Sequence, residues 1–181
     1  MKIIAICALQ SEGVKIEMPE TEIRYVCGGM GKTLSAANLT EAVCKERPDV
    51  VINYGTAGTT NHKVGDIVVC NRFVDRDLHK VNIDGIKSEY NFEPIKGLPF
   101  LAGVKDYGTC NTGDSFVTEL SDLEGDVIDM EAFAEAAVCD KMGIPFVSVK
   151  CVTDVVGQNS VKHWEDKIAD AKEILERFFN Q

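Results

Sequence analysis

Seven short runs of apolar and β-branched residues recur along the chain, each bounded by turn-forming residues, and they leave little choice of architecture. The runs are Lys2–Ala8, Ile23–Cys27, Val50–Tyr54, Gly65–Asn71, Phe100–Gly108, Asp126–Ile128 and Phe146–Val152. Most are apolar at consecutive positions, so the strands they predict must be covered on both faces. Three helical stretches supply the cover. Lys32–Lys45 carries Leu34, Ala37, Val43 and Cys44 among polar residues, with Pro48 beyond its end. The alanine-rich Met130–Met142 is stopped by Gly143-Ile144-Pro145, and Val161–Phe179 sets Ile168, Ala171, Ile174, Leu175 and Phe178 on one stripe. The expectation is a single α/β domain over residues 1–181, three layers deep (α/β/α), with a mixed and twisted central sheet. The least regular stretch, His79–Leu98, is polar and holds Gly85, Pro94 and Gly97. A long irregular segment in a compact domain is usually functional or mobile.

Charge and cysteines narrow the function classes. Twenty-nine acidic residues against nineteen basic ones give a formal charge of −10, which repels phosphate backbones and anionic lipid, so neither nucleic acid nor a membrane surface is an expected partner. Seven cysteines, an odd number with no CxxC pair, argue against a disulfide framework. The three histidines, His62, His79 and His163, lack ligand spacing, so no metal site is expected. Free thiols in a reducing cytoplasm are the reading that fits. The opening Met1–Leu9 run passes directly into Gln10-Ser11-Glu12 without a small-residue cleavage site, which marks a first buried strand and not a signal peptide. No run is long enough to span a membrane.

Four constellations carry chemistry. Tyr54-Gly55-Thr56-Ala57-Gly58 follows a buried strand, where glycines let a ligand approach the backbone. Alone it is a common strand-to-loop turn. Cys27-Gly28-Gly29-Met30-Gly31-Lys32 is a glycine-rich turn into a helix, but the GxxxxGK[ST] spacing of a triphosphate loop is absent. In Val127-Ile128-Asp129-Met130-Glu131 acids interrupt a strand as it becomes a helix; the plain alternative for Asp129 is a helix N-terminus that favours acids. In Val147–Asp154 a buried strand ends in an acid, and Glu12 lies just beyond the first strand. Glu12, Glu131 and Asp154 thus follow three apolar strands. Any one of them has a bland reading as a cap or surface acid; together they predict one pocket.

In order along the chain, Ala8–Glu12, Gly28–Gly31, Asn53–Gly58, Val64–Val69, Thr112–Val117, Asp129–Glu131 and Thr153-Asp154 resemble the nucleoside phosphorylase/nucleosidase superfamily. The pattern is that of methylthioadenosine/S-adenosylhomocysteine nucleosidases and their short relatives. The resemblance implies a nucleoside phosphorylase-like fold, a small-molecule nucleoside substrate, no cofactor, and a homodimer or higher homo-oligomer. It assigns Glu12 to the attacking water, Asp154 to the base at N7, and Glu131 to the ribose hydroxyls with Met130 against the sugar. Phe116 would stack on the base while the Val117 backbone reads its edge. Thr56, Ala57 and Gly58 would line the sugar side, Asp129 and Thr153 would complete the substrate contacts, and Trp164 matches an aromatic that covers the base. An acid, a base and a ribose clamp are also what the chemistry requires, because glycosidic cleavage passes through an oxocarbenium-like state and the leaving base needs a proton.

The chain departs from the pattern in three places. Phosphorolytic relatives hold phosphate with arginines where this chain has Leu9-Gln10-Ser11 and Asn53, so hydrolysis is expected, with phosphorolysis or a catalytically silent nucleoside-binding protein as the alternatives. The segment between Glu12 and Gly28 is short and a helix before Tyr107 is missing, which reshapes the 5′ side of the pocket. Methylthioadenosine, S-adenosylhomocysteine, adenosine, inosine and a salvage nucleoside such as queuosine all remain open as substrates. Lys150 stands where the nucleosidases often carry arginine. Asp75-Arg76-Asp77 matches a family loop near the subunit interface, with a surface salt-bridge cluster as the plain alternative.

Overall fold

The computed structural model describes residues 1–81, 83–119, 124–158 and 161–181, with the side chains of 161–166 excepted. Its strands are β1 (Lys2–Cys7), β2 (Glu22–Cys27), β3 (Val50–Thr59), β4 (Ile67–Asp75), β5 (Glu89–Asn91), β6 (Gly108–Thr112), β7 (Val127–Asp129) and β8 (Phe146–Val155). The helices are α1 (Lys32–Glu46), α2 (Ala132–Met142) and α3 (Val161–Phe179), with short 3-10 turns at Gln10–Glu12 and Pro99–Leu101.

One mixed sheet takes in all eight strands. β1 lies parallel to β2 and β3, and β3 runs parallel to β8. β8 pairs antiparallel with β4, β4 parallel with β6, and β6 parallel with β7. β7 then returns to β3 through Gly58 and Ile128. Strands β3, β8, β4, β6 and β7 therefore close a ring, while β1–β2 and β5 extend from it. Closure brings the ends of strands that are far apart in sequence to one place.

The consecutive apolar residues divide between the two faces, as strand geometry requires. Ile3, Ala5, Ile52, Tyr54, Val147 and Val149 pack beneath α3 with Leu175 and Phe179. Ile4, Ile6, Val51, Phe73 and Phe146 pack on the other face with Leu39, Val43, Ala132 and Ala136 of α1 and α2. The three-layer arrangement expected from the pattern is present. Full burial of a side chain such as Leu175 is worth roughly 1.5–3 kcal/mol.

One local expectation is corrected, and the buried face of α1 is defined. The Phe100–Gly108 run is not a strand: Pro99 opens a 3-10 turn, and Phe100 and Leu101 plug the core below α3, with the Phe100 ring 4.8 Å from that of Phe179. The strand begins at Gly108, where pairing with Cys70 of β4 starts. In α1 the inward stripe is Ser35, Leu39 and Val43, and Leu34 is 56% exposed. Ser35 faces inward because its hydroxyl donates to Glu135 Oε1 of α2 at 2.5 Å. The cysteines are all free, five buried and two, Cys27 and Cys44, exposed.

Candidate active site

Each of the three acids is positioned by a different local device. Glu12 ends the 3-10 turn that follows β1 and is buried. Its Oε2 accepts the Leu9 N–H at 3.1 Å, and its Oε1 accepts the Thr56 N–H at 3.0 Å and the Thr56 hydroxyl at 2.6 Å. The carboxylate is thereby fixed between the ends of β1 and β3.

Asp154 is aimed by an irregularity in the β3–β8 ladder. Pairing runs Ala57 with Val152 and then Gly58 with Asp154, so Thr153 is the extra residue of a bulge. A bulge re-aims the side chain beside it. The Asp154 carboxyl lies over Gly58, where a Cβ would sit 2.9 Å from Oδ2, so any other residue there would push the carboxyl aside. Burial pushes the Asp154 carboxyl above the usual carboxylate range, against the hydrogen bond with the Thr153 hydroxyl 2.9 Å from Oδ1.

Glu131 occupies the N-cap position of α2, and its Oε1 accepts the Gly31 N–H at 2.7 Å. Burial, with the neighbouring Asp129 charge adding to it, pushes its carboxyl up to about 7, while Lys150 and the Gly31 N–H pull the other way. Asp129 itself is buried, which opposes its charge, but its partners outweigh burial and hold its pKa low. Lys150 Nζ lies 2.9 Å from Oδ2, the Thr112 hydroxyl donates to Oδ1 at 2.6 Å, and the Ala132 N–H donates to Oδ2 at 2.9 Å. Asp129 thus ties the start of α2 to β6 and β8.

Glu12, Glu131 and Asp154 line one cavity of about 250 Å³. Thr56, Ala57, Gly58, Phe116, Val117, Asp129 and Met130 line it too, as the sequence suggested. Thr153 is not among the lining residues, its hydroxyl lying against Asp154. The side chain of Trp164 lies outside the described residues. Sequence reasoning missed Ala8, Leu9, Met30, Ile128 and Val156 as apolar walls, and Arg76 and Ser115 as polar ones. Ala8, Leu9 and Met30 sit inside motifs already singled out, whereas nothing local marks Val156. Asp75 and Arg76 are buried and do not form the surface cluster that the sequence allowed.

A small, mainly apolar cavity in which burial raises the carboxyls of Glu131 and Asp154 above their usual range suits an enzyme that moves protons on a compact, largely uncharged substrate. The chain belongs to the phosphorylase superfamily, whose family model matches residues 10–180. It is 30% identical to the 5′-methylthioadenosine/S-adenosylhomocysteine nucleosidase of Bacillus subtilis (strain 168), over 80% of this chain and 73% of that protein. Among solved structures it is similar to Arabidopsis thaliana 5′-methylthioadenosine nucleosidase in apo form, with TM-score 0.80 and 20% identity over 98% of this chain and 92% of that one. It is equally similar to a futalosine hydrolase mutant of Helicobacter pylori strain 26695, with TM-score 0.80 and 20% identity over 98% and 96% of the two chains.

Proposed function

We propose that the chain is an N-glycosyl hydrolase that cleaves the glycosidic bond of a purine-type nucleoside. The observation that carries this reading is the convergence of Glu12, Glu131 and Asp154, from three separate segments, on one cavity. Asp154, made a weaker acid by burial, donates a proton to the departing base. Glu131 accepts the ribose hydroxyls, and Glu12, anchored by Leu9 and Thr56, orients water and takes its proton. Phe116 and Val117 face the base, and Met130 the sugar. The nucleosidase name of the Bacillus subtilis relative supports the same reaction. Two solved proteins with different named substrates share the fold, so the fold alone does not select the 5′ substituent.

Hydrolysis is favoured over phosphorolysis by the state of Arg76, the guanidinium at the cavity. Both of its terminal nitrogens are engaged by carbonyl oxygens and offer no fork for phosphate. Met30 and Phe116 line the cavity yet remain 47% and 38% exposed, which supports a second copy of the chain covering that side in a homodimer. Free cysteines throughout support a reducing compartment such as the cytoplasm, and a role in purine salvage follows from the reaction.

The test is base release from a panel of purine, deazapurine and 5′-modified nucleosides, with and without phosphate. Release is expected without phosphate, and Asp154→Asn should lower it by about 10²–10⁴-fold, the usual worth of a positioned acid. A phosphate requirement would move the chain to the phosphorylases. Binding without turnover in the wild type would make it a nucleoside-binding protein.

A further inference from the structure

The Asp75-Arg76-Asp77 triplet at the end of β4 has a buried cation at its centre. Taking a guanidinium out of water is costly, and it normally persists only with a carboxylate partner. Arg76 instead spends its hydrogen bonds on amide-type oxygens. Nη1 donates to the Asn111 carbonyl at 3.1 Å, to Asn111 Oδ1 at 3.3 Å and to the Asp129 carbonyl at 3.1 Å. Nη2 donates to the Gly113 carbonyl at 2.9 Å and the Ser115 carbonyl at 2.5 Å. These oxygens come from the end of β6, the end of β7 and the loop that leads to Phe116. Burial lowers the Arg76 pKa, so the protein bears a cost to keep the group there.

The loop is shaped around the guanidinium. A Cβ on Gly113 would lie 2.5 Å from Arg76 Nε and 2.6 Å from Cζ, a distance no side chain tolerates. A trans peptide sets its N–H opposite its C=O, so the bond from the Ser115 carbonyl to Arg76 also fixes which way the Phe116 N–H faces. The flanking acids extend the clamp. Lys32 Nζ lies 3.0 Å from both Asp75 and Asp77, and the Lys32 N–H donates to Asp114 at 2.8 Å. Lys32 opens α1 next to Gly31, whose N–H holds Glu131. One cluster thus joins the loop facing the base to the turn that holds the ribose acid.

We propose that Arg76 is a positioning residue for base recognition: it gathers the carbonyls of residues 111–115 and 129 and so presents Phe116 and Val117 to the cavity. The proposal rests on the nucleosidase reading for its kinetic arm only. Lysine cannot replace it, because an ammonium lacks the planar fork that reaches five oxygens. Arg76→Lys and Arg76→Met are compared with the wild type on a nucleoside from which it releases base. Both variants should raise KM by about tenfold or more with kcat within about threefold, the pattern of lost uniform binding. Gly113→Ala, which keeps the arginine in the sequence but forces its guanidinium and the loop apart, should do the same.

Amide hydrogen exchange over residues 113–117 gives a second readout that needs no substrate, and it should be faster in all three proteins. Folded variants with wild-type KM, or with kcat reduced at unchanged KM, would overturn the proposal, as would unchanged exchange. Should the wild type release no base from any nucleoside, the nucleosidase reading falls and exchange alone decides whether Arg76 holds the loop. Should Arg76→Met fail to fold, the lysine and alanine variants carry the test.

Discussion

Replacing Glu135 by glutamine removes one ionisable proton from the interface of α1 and α2 while keeping the shape of the side chain. Glu135 is fully buried; its Oε1 accepts the Ser35 hydroxyl, and its Oε2 has no hydrogen-bond partner among the described residues. Burial pushes its carboxyl up to about 8, helped by the charges of Glu131 and Asp129 and opposed by Ser35 and Lys150. The folded protein therefore binds this proton more tightly than the unfolded chain, whose glutamate titrates near 4.5. Stability from this group is complete below the unfolded value and is lost as pH rises through the folded one. At about 1.36 kcal/mol per pH unit, the interval from 4.5 to about 8 integrates to about 5 kcal/mol.

Glutamine has no such dependence, but its amide places N–H groups where Oε2 has no partner, at a cost of about 1–3 kcal/mol. Urea unfolding of both proteins at a series of pH values reads the difference. Glu131 titrates in both and largely cancels. The variant should be the less stable near about pH 5 and the more stable near about pH 9, the two curves crossing between. A constant gap between the two curves would show that Glu135 is not held protonated by burial, and the reasoning would fail.

Two further outcomes follow from the site. Lys150→Met leaves Asp129 buried without its cation and should cost about 3–5 kcal/mol in urea unfolding, the usual penalty for breaking a buried pair; a loss well under about 1 kcal/mol would mean that Thr112 and Ala132 suffice. Gly58→Ala puts a Cβ 2.9 Å from Asp154 Oδ2, so base release should fall by about tenfold or more with little change in melting temperature; equal activity would show that the carboxyl has room to move.

How much of this was legible in the sequence depended on range. The face-alternating core of β1, β3 and β8 and the limits of α3 follow from local apolar pattern, and they were read correctly. The Phe100–Gly108 run misled because apolar content near a proline plugs a core as well as it makes a strand. The inward face of α1 was not legible, because Ser35, a polar residue, is buried through a partner a hundred positions away. That the three acids line one cavity could be anticipated because each closely follows or ends an apolar strand, a local signal. The bulge at Thr153, which decides where Asp154 points, leaves no mark in a period-two pattern. Arg76 was hidden for the same kind of reason: between two aspartates it reads as surface charge, and its burial comes from carbonyls that the pairing of β4 with β6 and of β6 with β7 brings together.

The charge balance of the cavity links these separate details to the proposed chemistry. Lys150 is spent on Asp129, so that pair brings little net charge, and the Arg76 cation is turned onto carbonyl oxygens such as those of Asp129 and Ser115. What remains lining the cavity is carboxylic: Glu12, Glu131 and Asp154, the last made a weaker acid by burial. Such a balance favours a sugar that becomes cationic as its bond to the base breaks, and it disfavours a phosphate dianion in the same space. Water, which carries no charge, enters at no such cost. The two buried cations thus do their work by being unavailable, and phosphorolysis would require one of them to be freed. A chain with these acids and an uncommitted arginine at the cavity would be expected to accept phosphate; this one, with its guanidinium tied to the carbonyls of Gly113 and Ser115, is built for hydrolysis.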